Sequence, residues 1–287
     1  MAINGTNGHK LGQGRGHYTR LLFNRIRRHA GALKGARHAD VHKFRTNSRR
    51  VEAIVGEFVP DSRSKRKLLK QLSRLRKKAG KIRDLDVQIA FLKDLKVPDR
   101  GGHRVALIEW LSDERARRAK KLARLFDADT RSDLRKRLRR AESEIDINRT
   151  DPLQLAYQRL PHPGHAALNE RTLHVCRIEA KRARYLAELA DNPAAKNFVQ
   201  ELKRAQDQVG EWHDVLKLKE IAEHRYGGVH NSPLVAALQN IARARFRRAV
   251  TSLLTALSTL GAQRPGFETQ KTRKTPASDV PANAAAA

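Results

Sequence analysis

The chain has 287 residues, with 60 Lys and Arg against 30 Asp and Glu, a formal charge of +30. Small-molecule enzymology has no use for that imbalance; it points to a polyanionic partner, whether nucleic acid, polyphosphate or an anionic surface. Leu, Ile, Val and Phe make up about 23 per cent, just above the roughly 20 per cent below which so charged a chain stays disordered, so a core forms with a thin margin.

Residues 1–15 are rich in Gly and polar groups and read as a flexible arm. The GQGRG within it has no strand before it and no Gly-Lys-Ser/Thr after it, so it is not a phosphate loop. From His17, YTRLLFNRIRRHAGAL reads as a first helix closed by Gly31 or Gly35, with Arg27 and Arg28 as candidate members of a basic surface. The next segment, VHKFRTNSRRVEAIVGEF from Val41 to Phe58, is the centre of the pattern. At 100° per residue Val41, Phe44, Val51 and Val55 share one apolar stripe, and His42, Arg45 and Arg49 form the adjoining strip. A solvated charge run normally lies opposite the apolar stripe. Here the cations border the packing face and form a ladder about 10 Å long, which suits a linear polyanion.

Pro60 and Asp61 then break the chain, and Asp61 or Ser62 N-caps a third helix that Gly80 closes. KIRDLDVQIAFLKDL forms the next helix, where Asp84 either caps the N-terminus or pairs with Arg83 or a neighbouring arginine. After a turn from Val97 to Gly102, VALIEWLSDERARRAKKLARLF is a long amphipathic helix with a basic polar face. TRSDLRKRLRRAESEI, about 130–147, reads as a linking helix. Asp151 and Pro152 reopen the helical pattern as N-cap and first helical residue, followed by helices near 152–160, 166–190, 195–210, 213–226 and 233–260. Residues 262–287 are low in aliphatics and read as a disordered tail. No strand pattern of useful length occurs, so the fold class is all-α.

The basic ladder recurs. His174, Arg177, Lys181 and Arg182 repeat His42, Arg45, Arg49 and Arg50 at an offset of 132, with Arg184 added one turn beyond Lys181. Downstream the offset becomes 130, matching Leu72, Arg74, Gly80 and Asp84 with Leu202, Arg204, Gly210 and Asp214. This is an internal duplication of domain size, with repeat one at about 17–127 and repeat two at about 149–260 inside a domain of 16–261. The expectation is two similar helical bundles related by a pseudo-twofold axis, with the two ladders facing one another. A lone histidine at a helix contact is ordinarily structural; its recurrence among the same cations makes His42 and His174 anion-binding candidates. Arg74, Arg83 and Arg204 join Arg27 and Arg28 as possible additional contacts.

Cys176 is the single cysteine, which excludes an internal disulfide framework and a Cys-x-x-Cys motif. No segment has the apolar core of a signal peptide or the length of a membrane span, so a soluble, cytoplasmic protein with no membrane partner is expected. The pairs His162/His165 and His213/Asp214 lack a third convincing ligand, and the surrounding charge disfavours a cation; they read as turn and cap residues, with no metal and no cofactor. No Ser/His/Asp or Cys/His arrangement stands out, so no catalytic residue is assigned. Trp110 and Trp212 are the only tryptophans, too few for a base-stacking platform.

HKFRTNSRR and HVCRIEAKRARY, followed at matching distances by IRDLDV and WHDVLKL, resemble the CHAD family, the conserved-histidine α-helical domain. The resemblance runs from about residue 17 to 260 and implies two pseudo-symmetric four-helix bundles around a basic central groove or pore that binds inorganic polyphosphate, often at bacterial polyphosphate granules. Its binding positions fall on His42, Arg45, Arg49, Arg50, His174, Arg177, Lys181, Arg182 and Arg184. The second copy departs from the first in having His213 where the first has Arg83. Relatives carrying a fused triphosphate-tunnel enzyme have a Glu-x-Glu-x-Lys motif; here Glu142-Ser-Glu144-Ile-Asp146 ends in the wrong charge, which implies a stand-alone binding module. Residue patterns alone support a polyanion binder, with DNA or RNA as the second choice of partner.

Overall fold

The computed structural model describes residues 5–99, 101–147, 150–162 and 168–264, with side chains from Arg15 onward. Among them are nine α-helices and no strand: α1 (Gly5–Ala32), α2 (His38–Phe58), α3 (Arg63–Asp94), α4 (His103–Leu125), α5 (Ala128–Ser143), α6 (Pro152–Gln158), α7 (Glu170–Ala187), α8 (Pro193–Tyr226) and α9 (Pro233–Ala262). The helix starts follow local chemistry. Ser62, Asp127, Asp151, Asn169, Asn192 and Ser232 each accept a backbone N–H of the first turn, and Pro152, Pro193 and Pro233 open their helices.

Four readings of the sequence are corrected. The arm at residues 1–15 is helical from Gly5, because extending an anchored helix costs far less than nucleating one. Its last residue, Arg15, pairs with Asp151 at 3.0 Å, and Thr19 bonds back to the Arg15 carbonyl. Neither Gly31 nor Gly35 makes the left-handed turn after this helix; Ala36 does, at φ 45°. Gly80 and Gly210 close nothing. They lie inside α3 and α8, since about 1 kcal/mol of lost propensity does not stop helices held on either side by Leu75, Ala79, Ile82 and Leu85, or by Ala205, Val209, Trp212 and Val215. Helix α5 is no bridge between halves. It packs on α1 and α3 and buries Leu134, Leu138 and Ala141 in the core that those helices share. The tail reading from 265 onward, and Pro163, Gly164 and His165, lie outside the described residues.

The succession α2, α3, α4 returns as α7, α8, α9, in each case with a middle helix packed on both flanking ones. The cores, however, cross the boundary between halves. One joins Phe23, Phe44 and Leu72 to Tyr157, Leu186 and Phe198, and a second joins Leu92 and Leu107 to Leu218 and Leu238. A third, around Leu173, Trp212 and Leu253, is confined to α7–α9. Direct packing of α2 on α7 and of α3 on α8 brings the two ladders together. On α2 the expected apolar stripe, Val41, Phe44, Val51 and Val55, is fully buried.

Candidate functional site

The ladders meet around a two-lobed cavity. The first lobe, about 650 Å³, lies against α3, and the second, about 540 Å³, lies against α8. Arg45, Arg49, Asp84, Arg177, Lys181 and Tyr185 line both lobes and so form the waist between them. His174 and Arg182 belong to the first lobe; His42, Arg50 and Arg184 belong to the second. All nine principal candidates therefore line one or both of two adjoining lobes.

The additional candidates divide. Arg83 lines the second lobe. Arg27 turns away to Glu142 at 2.6 Å, Arg204 pairs with Glu201 at 3.1 Å, Arg74 lines a separate depression beside Asp129 and Asp133, and Arg28 is exposed on α1. Helical spacing on α3 and α8 explains this. Ser73, Arg76, Lys77 and Asp84 share the face turned to the first lobe, and Arg74 points off it.

Burial makes the waist costly to charge. Arg177 keeps only 7% of its surface, and its Nε has no hydrogen-bond partner. Burial lowers its pKa, with attraction from Asp214 opposing the shift. Burial, reinforced by Arg177, Arg49 and Arg45, holds Lys181 well below the ordinary lysine range, and Arg49 falls to about 10, through burial first and Arg45 next. Arg49, Arg177 and Lys181 make no hydrogen bond or ion pair among the described residues. An anion placed here would meet strong, uncompensated donors.

The outer cations are tethered. Arg50 donates to Glu188 at 2.6 Å and Arg184 pairs with the same carboxylate at 3.3 Å, and both guanidiniums lie over the Tyr185 ring. Tyr18 also donates to Glu188. In the first lobe Arg182 and Arg159 share Glu57, at 2.6 and 3.1 Å. Arg45 is matched by Asp84 at 3.0 Å, which decides between the two readings of that aspartate in favour of pairing.

His213 and Asp214 are neither cap nor turn residues. They lie in the middle of α8, where His213 faces the first lobe, its ring 4.9 Å from that of His174, and Asp214 faces the second. Burial and then Arg177 press the His213 pKa down to about 3. His42 and His174 also lie below the ordinary histidine value, by burial first and by Arg83 and Arg177 respectively next. Sequence reasoning missed Arg76, Lys77, Lys203 and Gln206 as lining residues. Their signal was available: projected at 100° per residue, they fall on the faces that carry Asp84 and Asp214. Among the described residues no group of three or more His, Cys, Asp or Glu gathers as a metal site, and no helix is long and apolar enough to cross a membrane.

Fold and site together define an all-helical protein arranged around a two-lobed, cation-rich cavity. Residues 17–223 match the CHAD domain, and the chain belongs to that family. Its fold is that of the crystal structure of the CHAD domain from the plant Ricinus communis, with TM-score 0.65 and 17% identity over 88% of this chain and 92% of the other. PptA from Streptomyces chartreusis shares it too, with TM-score 0.63 and 14% identity over 88% of this chain and 99% of the other. No curated protein matches the sequence.

Proposed function

We propose that the chain is a non-catalytic module that binds inorganic polyphosphate in the two-lobed cavity. The observation that carries this reading is the buried waist, where Arg177, Lys181 and Arg49 make no hydrogen bond or ion pair among the described residues while cations from both halves surround them. A polyanion reaches such donors only if its phosphates are unencumbered. Internal phosphates of an inorganic chain carry no substituent, whereas every nucleic-acid phosphate carries sugars and bases that would have to enter the same space. The family resemblance favours the same ligand. A cytoplasmic location, with attachment to polyphosphate granules or a role in storage, accords with this reading.

Affinity should rise with chain length until both lobes are filled, and should fall steeply with salt as counterions are released. Calorimetry with triphosphate and with chains of tens of phosphates, at one fixed ionic strength, tests this. Equal affinities for the short and the long chain would defeat the reading.

A further inference from the structure

The waist already contains anions. Asp84 Oδ1 sits 3.0 Å from Arg45 Nη1 and lines both lobes, whereas Asp214 lines the second lobe, along with Arg177, and makes no ion pair with that arginine. The two aspartates stand 130 residues apart, and Asp84 is the one in contact with a ladder cation. The other tethering carboxylates do something different. Glu57 and Glu188 hold arginines at the outer lobes, where one bridged guanidinium still has other donors free for a ligand. Asp84 lies instead on the wall that the two lobes share, and Asp214 lines the second lobe only.

We propose that Asp84 is a surrogate anion, occupying on Arg45 the seat that a phosphate oxygen takes when a polyanion binds, with Asp214 a second negative charge beside the unpaired Arg177. The inference rests on the reading of the cavity as a polyanion site. With no ligand bound, the two carboxylates offset part of the repulsion among Arg45, Arg49, Arg177 and Lys181. When the ligand enters, an oxygen replaces the carboxylate contact that already exists on Arg45, and both carboxylates remain nearby as like charges. The aspartates therefore set an upper limit on affinity and keep exchange reversible. Burial raises the Asp214 pKa, with Asp84 adding to the rise and Arg177 opposing it, as expected of a carboxylate that an arriving anion would push further toward protonation.

Salt dependence gives this device a signature that a positioning role lacks. The slope of log affinity against log salt counts the polyanion charges that the site neutralises. A site whose cations are matched internally neutralises fewer. Binding of long-chain polyphosphate would be measured over a salt series for wild type, Asp84→Asn, Asp214→Asn and the double variant, with folding checked by circular dichroism. Asp84→Asn is expected to tighten binding about two- to fivefold at low salt, the range that a half-exposed ion pair supports, and Asp214→Asn to act in the same direction by less. Each should also steepen the slope by roughly 0.7–0.9, and the free protein should melt at a lower temperature. Weaker binding with the wild-type slope would show that the aspartates position the arginines, and would overturn the proposal, as would no change in either quantity. Asp84 is 53% exposed at its side chain, so Asp84→Asn alone decides the matter if the double variant does not fold. If wild type binds no polyphosphate, the reading of the ligand fails and takes this inference with it; if wild type binds and the variants do not behave as stated, the inference fails alone.

Discussion

The two lobes occupy equivalent places in the two halves, yet their walls differ. In the first, α3 contributes Ser73, Arg76 and Lys77, and α7 contributes Ile178, which is 55% exposed. At the offsets of the repeat, the second lobe has Lys203, Gln206 and Asp207 from α8, and Thr46 from α2. It also adds Glu211 and Asp214. Both lobes share the ladder cations of the waist, while the residues around them differ. The ladders are thus the common element, and the walls adjust the field around them. A ligand spanning both lobes meets a more apolar entrance on one side and a more evenly balanced one on the other.

The largest effect expected is on the ladders themselves. Reversing Arg177 or Arg45 to Glu should each weaken polyphosphate binding on the order of 10²-fold, since disrupting a buried charge contact costs about 2–5 kcal/mol. The double reversal should fall short of the sum, because both side chains line the same waist. Arg74→Glu and Arg204→Glu, outside both lobes, should change affinity by about twofold at most. Equal losses from all four would mean that binding is to a diffuse basic surface, and the distinction between ladders and walls would disappear.

A smaller effect separates the two tethers. Glu188 holds Arg50 and Arg184 and accepts from Tyr18, and the pKa of that phenol is raised by burial and by Glu188. Glu57 holds two arginines whose side chains are nearly half exposed. In urea denaturation Glu188→Gln should cost about 1.5–3 kcal/mol, the range for hydrogen bonds to charged groups. Glu57→Gln should cost under about 1 kcal/mol, as solvent screens exposed pairs. A larger loss from Glu57→Gln would reverse the ranking.

The smallest effect lies in pH. His42, His174 and His213 have depressed pKa values in the free protein, so the unfolded chain binds more protons than the fold as pH falls below the ordinary histidine value. For His213 the stability present above about pH 6.5 is lost progressively as pH falls toward about 3. Bound phosphate acts in the other direction on His42 and His174, raising their pKa values, so the complex takes up protons. Affinity should then be greatest at low pH and decline as pH rises through the bound-state values. Measuring affinity from about pH 6 to pH 8, in wild type and in the His42→Gln, His174→Gln double variant, tests this; a slope that survives the substitutions intact would make both histidines structural.

Much of the site was legible because it is written twice. A single His42 among arginines would have read as a core histidine; its return as His174 with the same spacing marked the nine residues that line the cavity. The all-α class followed equally directly from periodicity. What the sequence concealed depends on tertiary packing. Gly80 and Gly210 look like helix ends until the packed leucines, valines and alanines on either side carry the helix through them. Helix α5 looks like a linker because it has no second copy, although Leu134, Leu138 and Ala141 give it a core face. His213 and Asp214 gave no local sign of facing the cavity, because their role depends on α8 crossing α3 at that height. Glu57 and Glu188 were invisible as tethers for a similar reason, since most of their arginine partners are more than a hundred residues away.

The central claim is that the buried waist selects an unsubstituted phosphate chain. Direct competition tests it: long-chain polyphosphate against duplex DNA and against structured RNA, at equal charge concentration and one stated salt concentration, with the protein's affinity for each read separately. The account predicts that polyphosphate displaces both nucleic acids and is displaced by neither, and that Arg177→Glu removes this preference. Displacement of bound polyphosphate by DNA or RNA at equal charge would contradict it.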